Sequence, residues 1–597
     1  MARRERVELN AGSAHFVTEH KPEQRQQRPG AQRDLLLPDR CADPRLHARL
    51  IARAGAFARI IRHTHGQSVP ICSPPARTRG NQVARNRLKG LRSMRHPVFH
   101  RLSAVAFVFG SAPPTHAQTL APPDPFAALD RGLRPDVAPP AGTPPRWSLG
   151  ERMRHYRVPG VAIAILSNGV VQAAGFGLRE AGTRDAVDRD TLFSVGSISK
   201  LVTAATTLRL VARGQVDLDR DVGAYLKRWK LPPSAAVPEP KVSLRMLMTH
   251  SAGFGVHGFA DYQPAEPLPT LLQVLDGTGP AKNEAVRFKH VPGLRSDYSG
   301  GGVTVEQMTI EDATGRPLAE LAKAEVFAPL GMRRSTFESP LSPARSNIAK
   351  AHDAKGAVTA LPRGWESFAE SGASGLWTSA SDLGRLLGGL IKSYQGRADF
   401  LPQSLATAMM TRVSPGVFGL GPRLGGSGTG RHFFHMGANQ SYLSFIEGYP
   451  ETGEGFVILT NGGNGGGLIA EIRNALTDAI GQGAHAELRG VVLRTPPSPD
   501  FRGKYRLDAA VPLALRGALT DNFEYDSVEI DVVGDAVRIV LPGQETPTPL
   551  IPLGPAQFAL PGLYTFILEF SRDAFGTVRG VTISMPEAAS MAYYARE

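Results

Sequence analysis

Cysteine is almost absent from this chain: Cys41 and Cys72 are the only two in 597 residues. Both lie before residue 93, so nothing downstream can form a disulfide or a thiolate metal site. The H-E-x-x-H pair of a zincin and the G-x-S-x-G turn of an α/β-hydrolase are also missing, which excludes those two routes to hydrolysis. No apolar run reaches the roughly 20 residues that span a bilayer, so stable membrane insertion is not expected. Excess charge is absent from most of the chain as well. Residues 1–93 hold 19 of the 68 Lys and Arg and 7 of the 54 Asp and Glu, which leaves 49 basic and 47 acidic residues beyond them. A basic nucleic-acid face on a folded domain is therefore unsupported.

What is present begins with a second start. "MRHPVFHRLSAVAFVFGSAPPTHAQ", from Met94, has basic residues, a short apolar stretch from Leu102 to Phe109, and Thr-His-Ala before Gln118. That is the layout of a secretory signal cleaved after Ala117, and it implies a periplasmic or secreted protein. On this reading 1–93 is an upstream, disordered extension and 94–117 is the signal peptide.

Residues 118–146 are Pro-rich and read as an extended linker. "RWSLGERMRHYRV" reads as a helix stopped by Pro159-Gly160. "VAIAILSNGVVQAAGFG" reads as a hairpin turning at Asn168-Gly169. Ile198, Leu201, Val202, Ala205, Leu208 and Ala212 recur at helical spacing, which predicts a helix over 197–213. "FVILTNGG" reads as a buried strand and "GLIAEIRNALTDAIG" as a closing helix. The unit over 147–483 is thus α+β. Residues 484–500 form a second Pro-containing linker. From 501 to 597 alternating stretches such as "SVEIDVV" predict a small all-β barrel or sandwich.

Ser197 and Lys200 stand three residues apart where an apolar helix begins. Serine there is most often a cap that satisfies a free backbone N–H. Positions i and i+3 share a helix face, however, so the lysine amine can reach the serine oxygen. The helix N-terminus also favours the negative charge that develops in nucleophilic attack. A lysine acting as base must be neutral, which burial or a positive neighbour would favour. His250, His257 and His290 lie scattered in loop-like sequence and read as hydrogen-bonding residues rather than metal ligands.

Two further stretches decide between cap and nucleophile. "VPGLRSDYSGGG" places Tyr298 just before a helix, and "FFHMGANQSYLSFIEGYP" places His435-Met436-Gly437 before paired strands. With S-x-x-K, these resemble the ordered motifs of the serine β-lactamase-related hydrolases: class C β-lactamases, D-alanyl-D-alanine carboxypeptidases, D-aminopeptidases and related esterases. "VSLRMLMTHSAGF", "PLGMRRSTF" and "SGLWTSASDLGRLL" resemble that family's recurrent segments too. The resemblance implies an antiparallel sheet flanked by helices, as in β-lactamases and penicillin-binding proteins, and hydrolysis through an acyl-enzyme. By the same resemblance Ser197 is the nucleophile, with Lys200 and Tyr298 moving its proton. The N–H groups of Ser197 and Ala438 form the oxyanion hole, and His435, Gly437 and Asn439 line the substrate. Neither metal nor organic cofactor is called for, and the partner is a small-molecule ester or peptide.

One position departs from the family's Y-x-N: Tyr298-Ser299 is followed by Gly300, which has no amide to hold a substrate's acylamino group. Asn439 and Gln440 are candidates for that role. The departure favours esters or D-amino-acid peptides over β-lactams. The alternative is a catalytically silent relative that binds peptidoglycan-like peptides; loss of Ser197, Lys200 or Tyr298 would favour it, and all three are present.

Overall fold

The computed structural model describes residues 124–597 except 414–415, 483–487, 509, 511–518, 520–522, 524, 543–545, 563 and 587–589. The expected extension over 1–93 and the expected signal over 94–117 lie outside these residues.

A six-stranded antiparallel sheet organises the hydrolase region. Strands β1 (Gly160–Ser167) and β2 (Val170–Gly177) form the expected hairpin, with Asn168 and Gly169 both at positive φ. Strands β3 (Arg423–Gly425), β4 (His432–Ala438), β5 (Leu443–Tyr449) and β6 (Glu454–Thr460) come from much later in the chain. The order is β2-β1-β6-β5-β4-β3, so the N-terminal hairpin completes a sheet begun near the C-terminus. Side chains alternate between two cores. Ala162, Ala164 and Leu166 face one, with Val457 and Leu459; Val161, Ile163 and Ile165 face the other, with Phe456 and Ile458. Burial on both faces explains why these strands read as continuous apolar runs.

The first core is helical. Helix α1 (Leu149–Tyr156), which opens with a capping box between Ser148 and Glu151, lies outside it and buries Leu149 and Met153 in the second core. Helix α2 (Ile198–Ala212) is buried on nearly every face, and its threonines find partners inside. Thr203 donates to the carbonyls of Ser199 and Gly372, and Thr206 to that of Val202. Thr207 Oγ1 donates to Glu306 at 2.7 Å, linking α2 to helix α3 (Gly300–Thr314). Helix α4 (Ala380–Tyr394) packs against β1 and β2 on the same side. Helix α5 (Gly465–Ala479) covers the other face of the sheet.

Burial pushes the Glu306 carboxyl up to about 7. A carboxyl that holds its proton more tightly in the fold than in the unfolded chain lowers stability as pH rises from near 4.5 through 7. Glu306→Gln keeps an acceptor for Thr207 and removes that penalty. Its melting temperature should exceed the wild type's more at pH 8 than at pH 5; equal differences at both pH values would contradict this.

The Pro-rich stretch is no free tether where it is described. Leu129 and Leu133 are buried in the second core, and Arg134 pairs with Asp478 of α5 at 2.7 Å. Val137–Ala138 pairs in parallel with Leu488–Arg489, so the two supposed linkers zip together. Proline limits ladder donors but leaves short pairings such as this available.

The C-terminal region is a β-barrel. Its strands are β7 (Gly503–Leu507), β8 (Ser527–Val533), β9 (Ala536–Val540), β10 (Thr548–Pro549), β11 (Ile551–Gly554), β12 (Gln557–Leu560), β13 (Phe566–Arg572), β14 (Val578–Met585) and β15 (Ser590–Arg596). The pairing order runs from β10 through β9, β8, β7, β15, β14, β13 and β12 to β11. Its two end strands, β10 and β11, are separated only by Leu550, so one continuous segment brings the two ends of the sheet together and the barrel is nearly closed. Alternating inward residues fill the interior: Val528, Ile530, Phe558, Leu568, Phe570, Val581, Ile583 and Tyr594 are all buried. Phe434 of β4 meets Tyr564 of this barrel, ring centroids 5.5 Å apart, on the sheet face away from α2.

Candidate active site

The site forms where the edge of β4 meets the start of α2. Gly196 has φ +47°, and a Cβ there would lie 2.8 Å from both N and O of Ala438. A Cβ on Gly437 would lie 1.9 Å from the Val195 carbonyl oxygen. Only glycine lets these two backbones approach so closely. Ser444 Oγ donates to Val195 O at 3.0 Å and fixes the contact from beneath.

The ladder register then sets the direction of the Ala438 amide. Asn439 N donates to Tyr442 O at 2.9 Å, so in an antiparallel pair the preceding N–H points to the opposite edge. β3 pairs with β4 only at residues 432 to 434, which leaves that edge open from 435 onward. The Ala438 N–H is thus turned toward the Gly196–Ser197 backbone.

Ser197 is half-buried, and its side chain makes no capping bond to α2. Lys200, only 3% exposed, donates from Nζ to Ser197 Oγ at 3.0 Å and to the Ala373 carbonyl at 2.9 Å. The cap reading of Ser197 therefore fails. Its hydroxyl engages the amine one turn along instead. The neighbouring hydroxyls are committed elsewhere: Ser199 Oγ donates to Gly196 O and accepts from Leu376 N, and Ser194 Oγ accepts from Asn439.

Tyr298 is held by the segments flanking it. Asp297 N donates to His250 O, Ser299 N to His250 Nδ1 at 3.2 Å, and Gly300 N to His257 O at 3.1 Å. Lys200 Nζ and the Arg423 guanidinium each lie 5.0 Å from the centre of the Tyr298 ring, within cation–π reach. His250, His257 and His435 surround the same ring at centroid distances of 4.6, 4.8 and 6.4 Å. Burial, followed by Lys200 and Arg423, drives His250 well below the ordinary histidine range and His435 down to about 3. The site thus sets two basic side chains among imidazoles that burial keeps neutral.

The structure brings together Ser197, Lys200, Tyr298, His435, Gly437 and Ala438. Asn439 is drawn away, since its Nδ2 donates to Ser194 Oγ at 2.5 Å and braces the strand leading to the nucleophile. The sequence reading missed Arg423, His250 and the Ala373 carbonyl. His250 and His257 are not scattered; folding gathers both at Tyr298, and only His290 stays outside, bonded to Asp297. Burial also pushes Glu370, which precedes the turn carrying Ala373, up to about 7, opposed by the Lys200 charge.

The space that an asparagine would need after Tyr298-Ser299 is taken. A Cβ on Gly300 would stand 2.9 Å from the His257 carbonyl oxygen and 2.9 Å from the Phe259 ring. Gly300→Asn should therefore not restore an amide clamp as the motif alone suggests. It should lower stability by about 1–3 kcal/mol through overpacking, read as a lower melting temperature. An unchanged melting temperature would show that the loop yields.

Comparison with known proteins gives this geometry a family. Residues 148–479 match the Beta-lactamase family. The chain belongs to it. Esterase EstB of Burkholderia gladioli is 31% identical over 291 residues, covering 43% of this chain and 71% of that protein. A D-aminopeptidase of Brucella anthropi is 31% identical over 192 residues, but these span only 33% of its length. The octameric penicillin-binding protein homologue from Pyrococcus abyssi aligns over 75% of this chain and 98% of its own, at 22% identity and a TM-score of 0.49. Membership of the Beta-lactamase family, with the esterase as a relative, makes the chain a serine hydrolase. Its catalytic-region fold is the expected sheet with flanking helices, followed by the β-barrel.

Proposed function

We propose that the protein hydrolyses esters or D-amino-acid peptides through an acyl-enzyme on Ser197. The observation that carries this reading is the buried Lys200 amine 3.0 Å from Ser197 Oγ at the open edge of β4. The Lys200–Tyr298 pair takes the hydroxyl proton as Ser197 attacks the substrate carbonyl, through the neutral amine of Lys200 or through a Tyr298 phenolate held by a charged Lys200, and returns it to the leaving group. The N–H groups of Ser197 and Ala438 receive the developing oxyanion. Such a donor is worth on the order of 10²–10³ in rate. Water then releases the acyl group by the same proton path in reverse.

Two features favour esters and small peptides over β-lactams. The space after Ser299 has no side-chain amide, and His435 carries no charge that would attract a β-lactam carboxylate. Pre-steady-state hydrolysis of a chromogenic short-chain ester should show a burst of leaving group matching the enzyme concentration. kcat/KM should be higher on that ester or a D-alanyl peptide than on a cephalosporin. Efficient cephalosporin turnover would refute the preference. Export by the 94–117 signal belongs to the same proposal, and the exported protein should begin near Gln118.

A further inference from the structure

The imidazole of His435 is placed unlike the other two at Tyr298. Its ring is 1% exposed, and Nδ1 lies 2.7 Å from the Met436 carbonyl oxygen. A carbonyl only accepts, so Nδ1 carries the hydrogen, and in the neutral ring Nε2 presents a lone pair. That Nε2 is buried and has no hydrogen-bond partner in the protein. A buried acceptor left unmatched is costly, so it calls for a donor from outside the chain. The ring sits on β4 two residues before Gly437, the residue pressed against Val195 beside the nucleophile. It therefore lies at the edge where a substrate bound to Ser197 must run.

We propose that His435 is an acceptor-only specificity residue, selecting substrates that present an uncharged N–H or O–H donor near the scissile carbonyl and disfavouring those that present a carboxylate there. This rests on the serine-hydrolase reading above and narrows it to leaving groups that carry an uncharged donor, such as a hydroxyl or a carboxamide. Two lone pairs, one on Nε2 and one on a carboxylate oxygen, cannot share a hydrogen bond without a proton between them. The ring does not supply one. The groups that face it are Lys200 from α2, Arg423 from β3, and His250 and Tyr298 from the segments leading into α3, and both cations oppose its protonation.

The test uses two acetate esters that differ only in the leaving group, glycolamide against glycolate. The wild type should favour the carboxamide by about tenfold or more in kcat/KM, the scale of one hydrogen bond. His435→Lys should reverse the preference. In the wild type, ¹H–¹⁵N spectra, assigned by the signal lost in His435→Gln, should show a hydrogen on Nδ1 and no titration between about pH 5 and 8. Preference for glycolate in the wild type, or a His435 ring that titrates near its ordinary value, would overturn the proposal. Failure to hydrolyse either ester would instead sink the serine-hydrolase reading, while the spectra would still decide the state of His435.

Discussion

Ser197→Ala should lose ester hydrolysis by on the order of 10⁴–10⁶-fold in kcat, the scale seen when a serine nucleophile is removed, while staying as stable as the wild type. The two halves of this expectation come from one observation. Ser197 Oγ makes no capping bond, so α2 loses none of its end-stabilising contacts with the substitution. The usual cost of about 1 kcal/mol for removing a serine cap should thus be missing. What is lost is the hydroxyl that accepts from Lys200. Melting temperature and activity should therefore separate cleanly. A large drop in both would mean that Ser197 supports the fold rather than the reaction.

Lys200→Met should cost on the order of 10²–10⁴-fold in kcat, the span of general-base contributions. Methionine fills much of the buried channel but cannot take a proton or bond to Ser197. Stability should change less, because two effects oppose. The Ala373 carbonyl loses its donor, which costs about 1–3 kcal/mol, while a buried polar amine group no longer has to be desolvated. Covalent labelling of Ser197 should slow along with turnover, since both need the hydroxyl activated. Unchanged turnover would move the base to Tyr298 alone.

How much of this could be read from the sequence follows physical range. The hairpin at Asn168-Gly169, the helix from 198 and the alternating C-terminal strands are local patterns, and each appears where expected. Ser197 and Lys200 were legible because three residues on a helix share a face. Barrel closure was not legible, since it depends on β10 and β11 sitting at opposite ends of one pairing order. Arg423 was missed for a similar reason: an arginine on a three-residue strand gives no sign that folding will set it over Tyr298. His250 and His257 looked unremarkable because their meeting point, Tyr298, is more than forty positions onward. The Pro-rich stretches misled through composition, which reports chain stiffness and not the apolar anchors Leu129 and Leu133.

The most direct measurement is intact mass after incubation with an acylating serine probe, followed by tryptic fragmentation. The expected peptide, Asp190–Lys200, carries Ser194, Ser197 and Ser199, so the fragments must locate the adduct within it. Ser194 and Ser199 are tied to Asn439, Gly196 and Leu376, whereas Ser197 bonds only to the amine that would activate it. The account predicts one adduct per chain, on Ser197, absent from Ser197→Ala. An adduct on any other serine, or one that persists in Ser197→Ala, would contradict it.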